Sequence, residues 1–342
     1  MMKTWQPPEH WKVIETIDAH TGGEPLRIFT GGLPEIKGET VLEKRRYFRD
    51  HLDEIRTGMM WEPRGHADMY GAVITEPDSS DADVGMFFLH NEGYSTMCGH
   101  AIIAMTKVML DTGWLNKPGE QPVLRIDVPA GRIEATAIRK NGVVKEVSFL
   151  NVPSFVYKAD GVVELPGIGP VTYDIAFGGA FYAFCRVEDL NTSLTPDRHD
   201  LLIDLGRRVK KAVMEQDCIR HPFERDLSFL YGTIIVGPPK ERTHHSSNVC
   251  VFAEGQVDRS ATGSGVSARA AIHHARGELD KGDALTIESI LGTCMTVEID
   301  EVLEYGGYQA IIPKVTGTAA ITGSHRFFFD PDDPLKSGFI FR

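Results

Sequence analysis

The stretch Met97-Cys98-Gly99-His100-Ala101 runs directly into the apolar segment Ile102 to Leu110, and together they decide how the chain is organised. The apolar segment is long enough for a helix, while the polar residues Asn91 to Thr96 are typical of a loop leading to it. The sequence therefore predicts that the Cys98 thiol lies at a helix N-terminus. Free backbone N–H groups and the helix dipole favour negative charge there, so the position suits a thiolate and can bind a ligand carboxylate.

The same pattern recurs in the second half of the chain. The segment Asp258-Arg259-Ser260-Ala261-Thr262-Gly263-Ser264-Gly265 opens a second helical run, Val266 to Arg276. Each run begins after a small or polar residue and ends in a glycine that can cap a helix. One offset of 164 residues (262 − 98) relates Cys98 to Thr262, Gly99 to Gly263 and Gly113 to Gly277. This repeat predicts one α/β unit that is duplicated.

Strand patterns precede both helices. Trp11 to Phe29 alternates apolar and polar residues around a Gly-Pro loop, which predicts two strands. Val84 to Leu89 predicts a strand that leads to the Cys98 loop, and Asn248 to Phe252 predicts one that leads to the Asp258 loop. The paired glycines at 178 and 179 predict a close approach of two backbones.

Three motifs, in this order, resemble the proline racemase family: Asp18-x-His20-Thr21-Gly22-Gly23-Glu24-Pro25 with Arg27, Met97-Cys98-Gly99-His100, and Asp258-Arg259-Ser260-x-Thr262-Gly263-Ser264-Gly265. The likeness extends from about Val13 to about Phe329. It implies an α/β (α+β) fold of two pseudo-symmetric domains, of the proline racemase and diaminopimelate epimerase type. Each domain is then a curved β-sheet or barrel around a central helix, with the active site in the cleft between them. We expect residues 1–150 in the first domain, 151–324 in the second, and about 325–342 returning to the first.

The second motif half departs from the family pattern. Members carry a Cys in each half, and the two thiols face opposite sides of the substrate's α-carbon, whereas this chain has Thr262 in place of the second Cys. That replacement resembles the trans-3-hydroxy-L-proline dehydratase branch. It implies cofactor-independent dehydration of the imino acid to pyrroline-2-carboxylate and water. Ala261, where many relatives have Pro, leaves the shape of the loop open.

The resemblance and the helix termini together give a set of candidate site residues. The catalytic candidates are Cys98, as the base that removes the α-proton, and Thr262. The substrate-binding candidates are the backbone donors at the two helix starts and, by resemblance, a carboxylate that would hold the ring ammonium: Gly99, His100, Gly263, Ser264 and Asp258. Structural alternatives stay open, since Cys98 also suits a small core residue, Thr262 an N-cap and Asp258 a capping or loop carboxylate.

Composition limits the partners. The 342 residues carry a formal charge of −12, which argues against nucleic acid, because a phosphate backbone needs a basic face. The N-terminus has no apolar signal-peptide core and no run reaches 18 apolar residues, so we expect neither secretion nor a membrane span. Five widely spaced cysteines fit free thiols in a reducing cytoplasm. We expect a small imino acid as the ligand and keep a homodimer as a candidate assembly.

Other kinds of site find little support. The pairs His244-His245 and His273-His274 lack the HExxH spacing of a metal site, and Gly263-Ser264-Gly265 is followed by no Walker lysine, so we expect no metal and no cofactor. Two other functions stay open beside the dehydratase. One is a 4-hydroxyproline epimerase or proline racemase that uses a water held by Thr262 as its second acid. The other is a non-catalytic imino-acid-binding protein.

Overall fold

The computed structural model describes residues 5–341. The first part of the chain contains three helices, α1 Val41–His51, α2 Asp53–Met60 and α3 Gly99–Asp111. Its strands are β1 Lys12–Thr21, β2 Glu24–Gly31, β3 Tyr70–Thr75, β4 Val84–His90, β5 Gly93–Ser95, β6 Val123–Val128, β7 Gly131–Lys140 and β8 Val143–Leu150. The predicted strands before the Cys98 helix are therefore confirmed, and the loop expected ahead of it contains the short strand β5.

The second part repeats this order. Its helices are α4 His199–Gln216 and α5 Gly263–Ala275, with short 3-10 turns at Glu188–Leu190, Pro196–Arg198 and Arg225–Leu227. Its strands are β9 Ser154–Leu165, β10 Gly169–Phe177, β11 Phe181–Arg186, β12 Leu230–Gly237, β13 Ser246–Phe252, β14 Gln256–Asp258, β15 Ala284–Glu288, β16 Cys294–Tyr305 and β17 Tyr308–Gly317. The last strand is β18 Ala319–Phe329. Helices α3 and α5 are related by the predicted offset of 164 residues (263 − 99).

Hydrogen-bonded strands surround each of these two helices. In the second half the neighbours run β9-β10-β11-β12-β13-β15-β16-β17 and close back on β9, which makes an eight-stranded barrel. In the first half they run β18-β1-β2-β3-β4-β6-β7-β8, and β8 pairs with the end of β17, which continues into β18. Parallel pairs occur at equivalent places in both halves, β2 with β3 and β11 with β12. The predicted pseudo-symmetric fold, with a curved sheet or barrel around each central helix, is confirmed.

Strand β18 belongs by its pairing to the first half. It is antiparallel to β1 along its whole length, from Thr21 opposite Ala319 to Lys12 opposite Phe329. This pairing favours a return of the chain at residue 319, earlier than the expected 325. The division into domains at residues 150 and 324 stays a prediction.

The central helices are buried because the sheet surrounds them. Helix α3 contacts β1, β2, β7, β8 and β18, and α5 contacts β9, β10, β11, β16 and β17. In α3 the apolar side chains Ile102, Ile103, Met105 and Val108 are fully buried, which explains why its sequence is apolar on every side. No helix within residues 5–341 is both long and apolar enough to cross a membrane.

The remaining helices cover the outer faces of the sheets. Helix α1 begins with a capping box, in which Thr40 accepts from the backbone N–H of Glu43 and the Glu43 side chain accepts from that of Thr40. Its Val41 and Phe48 are fully buried in a second apolar cluster with α2 and the outer face of β2, β3 and β4. Helix α4 packs on β12 and β13. These outer layers leave the starts of α3 and α5 to face each other across the two halves.

Candidate active site

The N-termini of α3 and α5 meet at a pair of glycines. A Cβ atom on Gly99 would lie 2.7 Å from the Cα of Gly263, and a Cβ on Gly263 would lie 2.7 Å from the Cα of Gly99. Neither position can hold a larger residue without moving the backbone. The predicted N-cap residues, Cys98 and Thr262, are therefore close together, at the equivalent position of each helix.

These helix starts line one small cavity between the halves. Its volume is about 20 Å³, close to what a single water needs. It brings together all seven residues that the sequence singled out: Cys98, Gly99, His100, Asp258, Thr262, Gly263 and Ser264. It also contains six that the sequence did not identify: Tyr70, Met97, Tyr182, Tyr231, Cys250 and Phe252.

Cys98 is buried, with 4% of its surface exposed. Burial raises the pKa of its thiol well above the usual range, and the carboxylates of Asp258 and Glu24 raise it further. The backbone N–H of Ala101, in the first turn of α3, lowers this pKa but does not outweigh burial. The expectation that this helix end favours a thiolate is therefore wrong for the closed site, because the sequence indicates the helix end but not the depth of burial.

His100 faces the thiol. Its ring Nδ1 lies 3.1 Å from Cys98 Sγ. The ring is buried, and burial lowers its pKa, although Asp258 and the carbonyl of Pro25 act in the opposite direction. Both members of the pair are thus neutral in the closed site. The backbone carbonyl of His100 accepts a hydrogen bond of 2.8 Å from Thr21 Oγ1, which ties the start of α3 to the first motif.

Asp258 is the last residue of β14 and is 5% exposed. Its Oδ1 accepts a hydrogen bond of 2.7 Å from the backbone N–H of Ser260, so it orders the turn that leads to α5. It does not occupy the N-cap position, which belongs to Thr262. It lines the same cavity as Cys98 and His100, and its carboxylate raises the pKa of both.

Thr262 has an unusual backbone conformation and a side chain that does not cap its helix. Its φ of 68° and ψ of 95° lie on the positive-φ side, which a β-branched residue seldom adopts and which stores strain. Its hydroxyl makes no cap hydrogen bond to α5. The buried Oγ1 has no oxygen or nitrogen partner within residues 5–341, and the group it contacts is the buried thiol of Cys250, whose pKa this contact lowers. A simple N-cap would show the cap hydrogen bond, so the capping alternative does not account for this residue. The hydroxyl therefore lines the cavity with hydrogen-bonding capacity that the helix does not use.

Aromatic side chains form the opposite wall of the cavity. Tyr231 and Phe252 stack with their ring centroids 5.3 Å apart, and Tyr70 donates a hydrogen bond of 2.6 Å to Ser95 Oγ. Tyr182 OH lies 2.7 Å from Ser264 Oγ. The paired glycines at 178 and 179 are the one sequence feature that indicates this part of the cavity. A Cβ on Gly178 would overlap the carbonyl oxygen of Ser264. The predicted close backbone approach at that glycine is confirmed.

Glu24 joins the first motif to the last. It is fully buried, and its Oε2 accepts a hydrogen bond of 2.7 Å from the backbone N–H of Arg259 in the other half of the molecule. Its Oε1 has no partner within the described residues. Burial raises its pKa well above the usual value, and the charge of Asp258 raises it further. Glu24 therefore anchors the loop that carries Asp258.

The two histidine pairs lie elsewhere. His244 Nδ1 lies 2.8 Å from Glu288 Oε1, and His273 Nδ1 lies 2.6 Å from Glu278 Oε2. Across residues 5–341, no group of three or more His, Cys, Asp or Glu is arranged to hold a metal ion.

Known proteins resemble this chain along nearly its whole length. It is 48% identical over 341 residues to a trans-3-hydroxy-L-proline dehydratase of Colwellia psychrerythraea, covering 99% of this chain and 96% of that protein. It is 42% identical to a 3-hydroxyproline 2-epimerase of Burkholderia multivorans, covering 96% of this chain and 98% of the relative. A crystal structure of a hydroxyproline epimerase from Agrobacterium vitis, with bound trans-4-OH-L-proline, superposes with a TM-score of 0.91 at 27% identity, covering 96% of each chain.

A profile of the family described as proline racemase matches residues 16–340. This match spans both halves, both central helices and the cavity between them. The chain belongs to the proline racemase family.

Proposed function

We propose that this protein is a hydro-lyase that converts trans-3-hydroxy-L-proline to pyrroline-2-carboxylate and water. The observation that carries the proposal is the difference between the two equivalent helix starts, of which one has the thiol of Cys98 and the other the hydroxyl of Thr262. The Colwellia relative named as a dehydratase supports the same reaction.

The substrate carboxylate is proposed to bind between the two helix starts. Backbone N–H groups of Gly99 and His100 on one side, and of Gly263 and Ser264 on the other, can donate to it, and both helix dipoles favour its charge. The same donors stabilise the negative charge that spreads into the carboxylate when the α-proton leaves. Asp258 is proposed to hold the ring ammonium, which keeps that nitrogen charged and acidifies the α-carbon.

Cys98 is proposed as the only base. The hydroxyl of trans-3-hydroxy-L-proline is trans to the carboxylate and therefore on the same face as the α-hydrogen. The thiolate takes the α-proton, and the C3–O bond breaks as the electron pair forms the double bond between Cα and C3. The protonated thiol or His100 delivers a proton to the departing hydroxyl, which leaves as water. The resulting enamine takes up a proton at C3 and loses one from nitrogen to give the cyclic imine.

Binding of the substrate is proposed to supply the thiolate. In the closed site the charge of Asp258 helps to keep the Cys98 pKa raised. A substrate ammonium beside Asp258 neutralises that charge and adds a positive one near the sulfur, and both changes favour the thiolate. His100 Nδ1, 3.1 Å from Sγ, is placed to accept the thiol proton. Because a cavity of about 20 Å³ is too small for an imino acid, the halves must separate for entry.

Thr262 is proposed to bind the substrate without acting as a second base. An aliphatic hydroxyl is far too weak an acid to exchange protons with Cα at neutral pH, so inversion at Cα is lost. Its Oγ1, which lines the cavity and makes no cap bond to α5, is instead suited to a hydrogen bond with the C3 hydroxyl of the substrate.

An epimerase is the second candidate, and the Burkholderia relative named as a 3-hydroxyproline 2-epimerase is what favours it. A substrate screen distinguishes a dehydratase, an epimerase and a binding protein. It uses the isomers of 3- and 4-hydroxyproline and L-proline, with chiral chromatography of the products and an o-aminobenzaldehyde assay for the imine. Imine from trans-3-hydroxy-L-proline alone is expected. Faster inversion of any substrate would favour the epimerase, and no product from any would favour a binding protein.

Two further expectations concern the location and the assembly of the protein. Five cysteines, none of them in a disulfide, fit a cytoplasmic location. A homodimer is proposed as the assembly, and sedimentation velocity tests it through the mass of the particle in solution.

A further inference from the structure

Helix α5 buries one arginine that its surroundings do not neutralise. Arg269 is 6% exposed. Within residues 5–341 its one hydrogen bond joins a guanidinium N–H to the neutral amide oxygen Asn248 Oδ1, at 2.7 Å. The carboxylate that acts on it from a distance is Glu278, which is half exposed and bonded to His273. A buried cation that is not paired directly with a carboxylate is costly, so this arrangement calls for an explanation.

The fold itself does not require a charge here. The offset that relates the two halves places Met105 of α3 at the position equivalent to Arg269 (269 − 105 = 164). Met105 is fully buried among apolar side chains. The first barrel therefore fills the same helix position with an uncharged side chain of similar length.

Arg269 lines a separate cavity at the far end of the second barrel, near the C-terminus of α5. The cavity measures about 200 Å³ and shares no residue with the cavity at Cys98. Three carboxylates line it too, and each has a basic partner: Asp160 and Asp174 pair with Arg276, at 3.1 and 2.9 Å, and Glu278 pairs with His273. Arg186 lines it as well, from the exposed end of β11.

The positive charge of Arg269 lowers the pKa of two nearby histidines, His245 and His273. The rings of His245 and His273 lie 4.8 Å apart. Burial, Arg269 and His273 lower the pKa of His245 to about 4. Burial also lowers the pKa of Arg269 itself, to about 10. An anion beside the guanidinium would oppose each of these shifts.

We propose that this second cavity is an anion site, in which Arg269 binds a small oxyanion, a carboxylate or a phosphate, outside the catalytic centre. The planar guanidinium suits either oxyanion, because two parallel N–H groups match two oxygens. Asn248 holds one guanidinium nitrogen and leaves the remaining donors for the ligand.

Thermal unfolding of the full chain tests the site. Inorganic phosphate and acetate are titrated separately at constant ionic strength, balanced with sodium chloride, and Arg269→Met, which copies Met105, is compared with the unmodified protein. Arg207→Met, which removes an exposed charge on α4, is the matched control. We expect a Tm that rises with anion concentration in the unmodified protein and in the control but not in Arg269→Met. A larger effect of phosphate assigns phosphate as the ligand class, and a larger effect of acetate assigns a carboxylate.

The same titration with saturating pyrrole-2-carboxylate separates this site from the catalytic one, since the rise should persist when the active site is blocked. Equal stabilisation of Arg269→Met, no stabilisation of any protein, or loss of the rise on blocking would each overturn the proposal. If Arg269→Met does not fold, anomalous scattering from crystals soaked in selenate decides on the unmodified chain. A peak beside the Arg269 guanidinium supports the site, and its absence there overturns it.

Discussion

Cys98 Sγ lies 3.1 Å from Nδ1 of His100, and both side chains are buried in the wall of one cavity between the two halves. Burial raises the pKa of the thiol and lowers that of the imidazole, so the closed site holds a neutral pair. The base that the proposed reaction needs must therefore be generated when the substrate binds. Removing a charge near Cys98 therefore tests how the thiolate is generated.

Asp258→Asn is expected to separate two effects of the carboxylate, one on the pKa of Cys98 and one on the binding of the ring ammonium. Because the carboxylate raises the Cys98 pKa, its removal should lower that pKa in the free protein, so the rate of alkylation by iodoacetamide should rise at a more acidic pH. Turnover should nevertheless fall about 10²-fold, since the ring ammonium loses its partner. Asp300→Asn, at an exposed position in the middle of β16, is the control. A loss of thermal stability and activity with an unchanged alkylation profile would instead assign Asp258 a structural role.

The order in which iodoacetamide alkylates the cysteines of the unmodified protein should follow the exposure of their thiols. Cys218 is exposed, whereas Cys98 is buried with a raised pKa. Mass spectrometry should find iodoacetamide first on Cys218, without loss of activity, and later on Cys98, in step with inactivation. Pyrrole-2-carboxylate should slow only the second reaction, and Cys218→Ser should leave its rate unchanged. Activity lost in step with modification of any other cysteine would remove Cys98 from the mechanism.

Glu24→Gln is expected to change how stability depends on pH. The folded-state pKa of Glu24 is raised, so its contribution to stability is fully present below its unfolded value of about 4.5 and is lost as pH rises through the folded pKa. Because Gln does not titrate, the variant does not lose this stability as pH rises. Its Tm relative to the unmodified protein should therefore increase with pH, by a few degrees, because each pKa unit is worth about 1.4 kcal/mol. Parallel Tm curves across the pH range would contradict a Glu24 whose pKa is raised by burial.

Gly99→Ala should lower activity more than stability. The added Cβ would meet the backbone of Gly263 at 2.7 Å, so the two helix starts must move apart and their N–H groups lose their common target. We expect a loss of about 10²-fold in kcat/KM. Gly263→Ala, its equivalent in the other half, should behave alike. Normal kcat/KM in both variants would show that the catalytic site does not depend on this contact.

The repeat in the sequence was enough to predict the two central helices and their offset, because Cys98 with Gly99 and Thr262 with Gly263 mark both helix starts. It could not identify Tyr70, Tyr231 or Phe252 as the facing wall, since they lie in or beside strands whose neighbours depend on long-range pairing. The pKa of Cys98 was predicted in the wrong direction for a related reason. A helix end is a local property, whereas burial depends on how the halves close.

The central claim is that one thiol serves one face of the α-carbon, and L-proline in deuterium oxide tests it most directly. With no leaving group at C3, the α-proton removed by Cys98 can return only to the face it left, provided the thiol exchanges its proton first. NMR should show deuterium at the α-position while chiral chromatography of the same samples finds only the L-isomer, and Cys98→Ser should abolish the exchange. Thr262→Cys should then allow some inversion, because it restores an acid on the opposite face. D-proline formed by the unmodified protein at a rate comparable to its best dehydration would contradict the one-base mechanism.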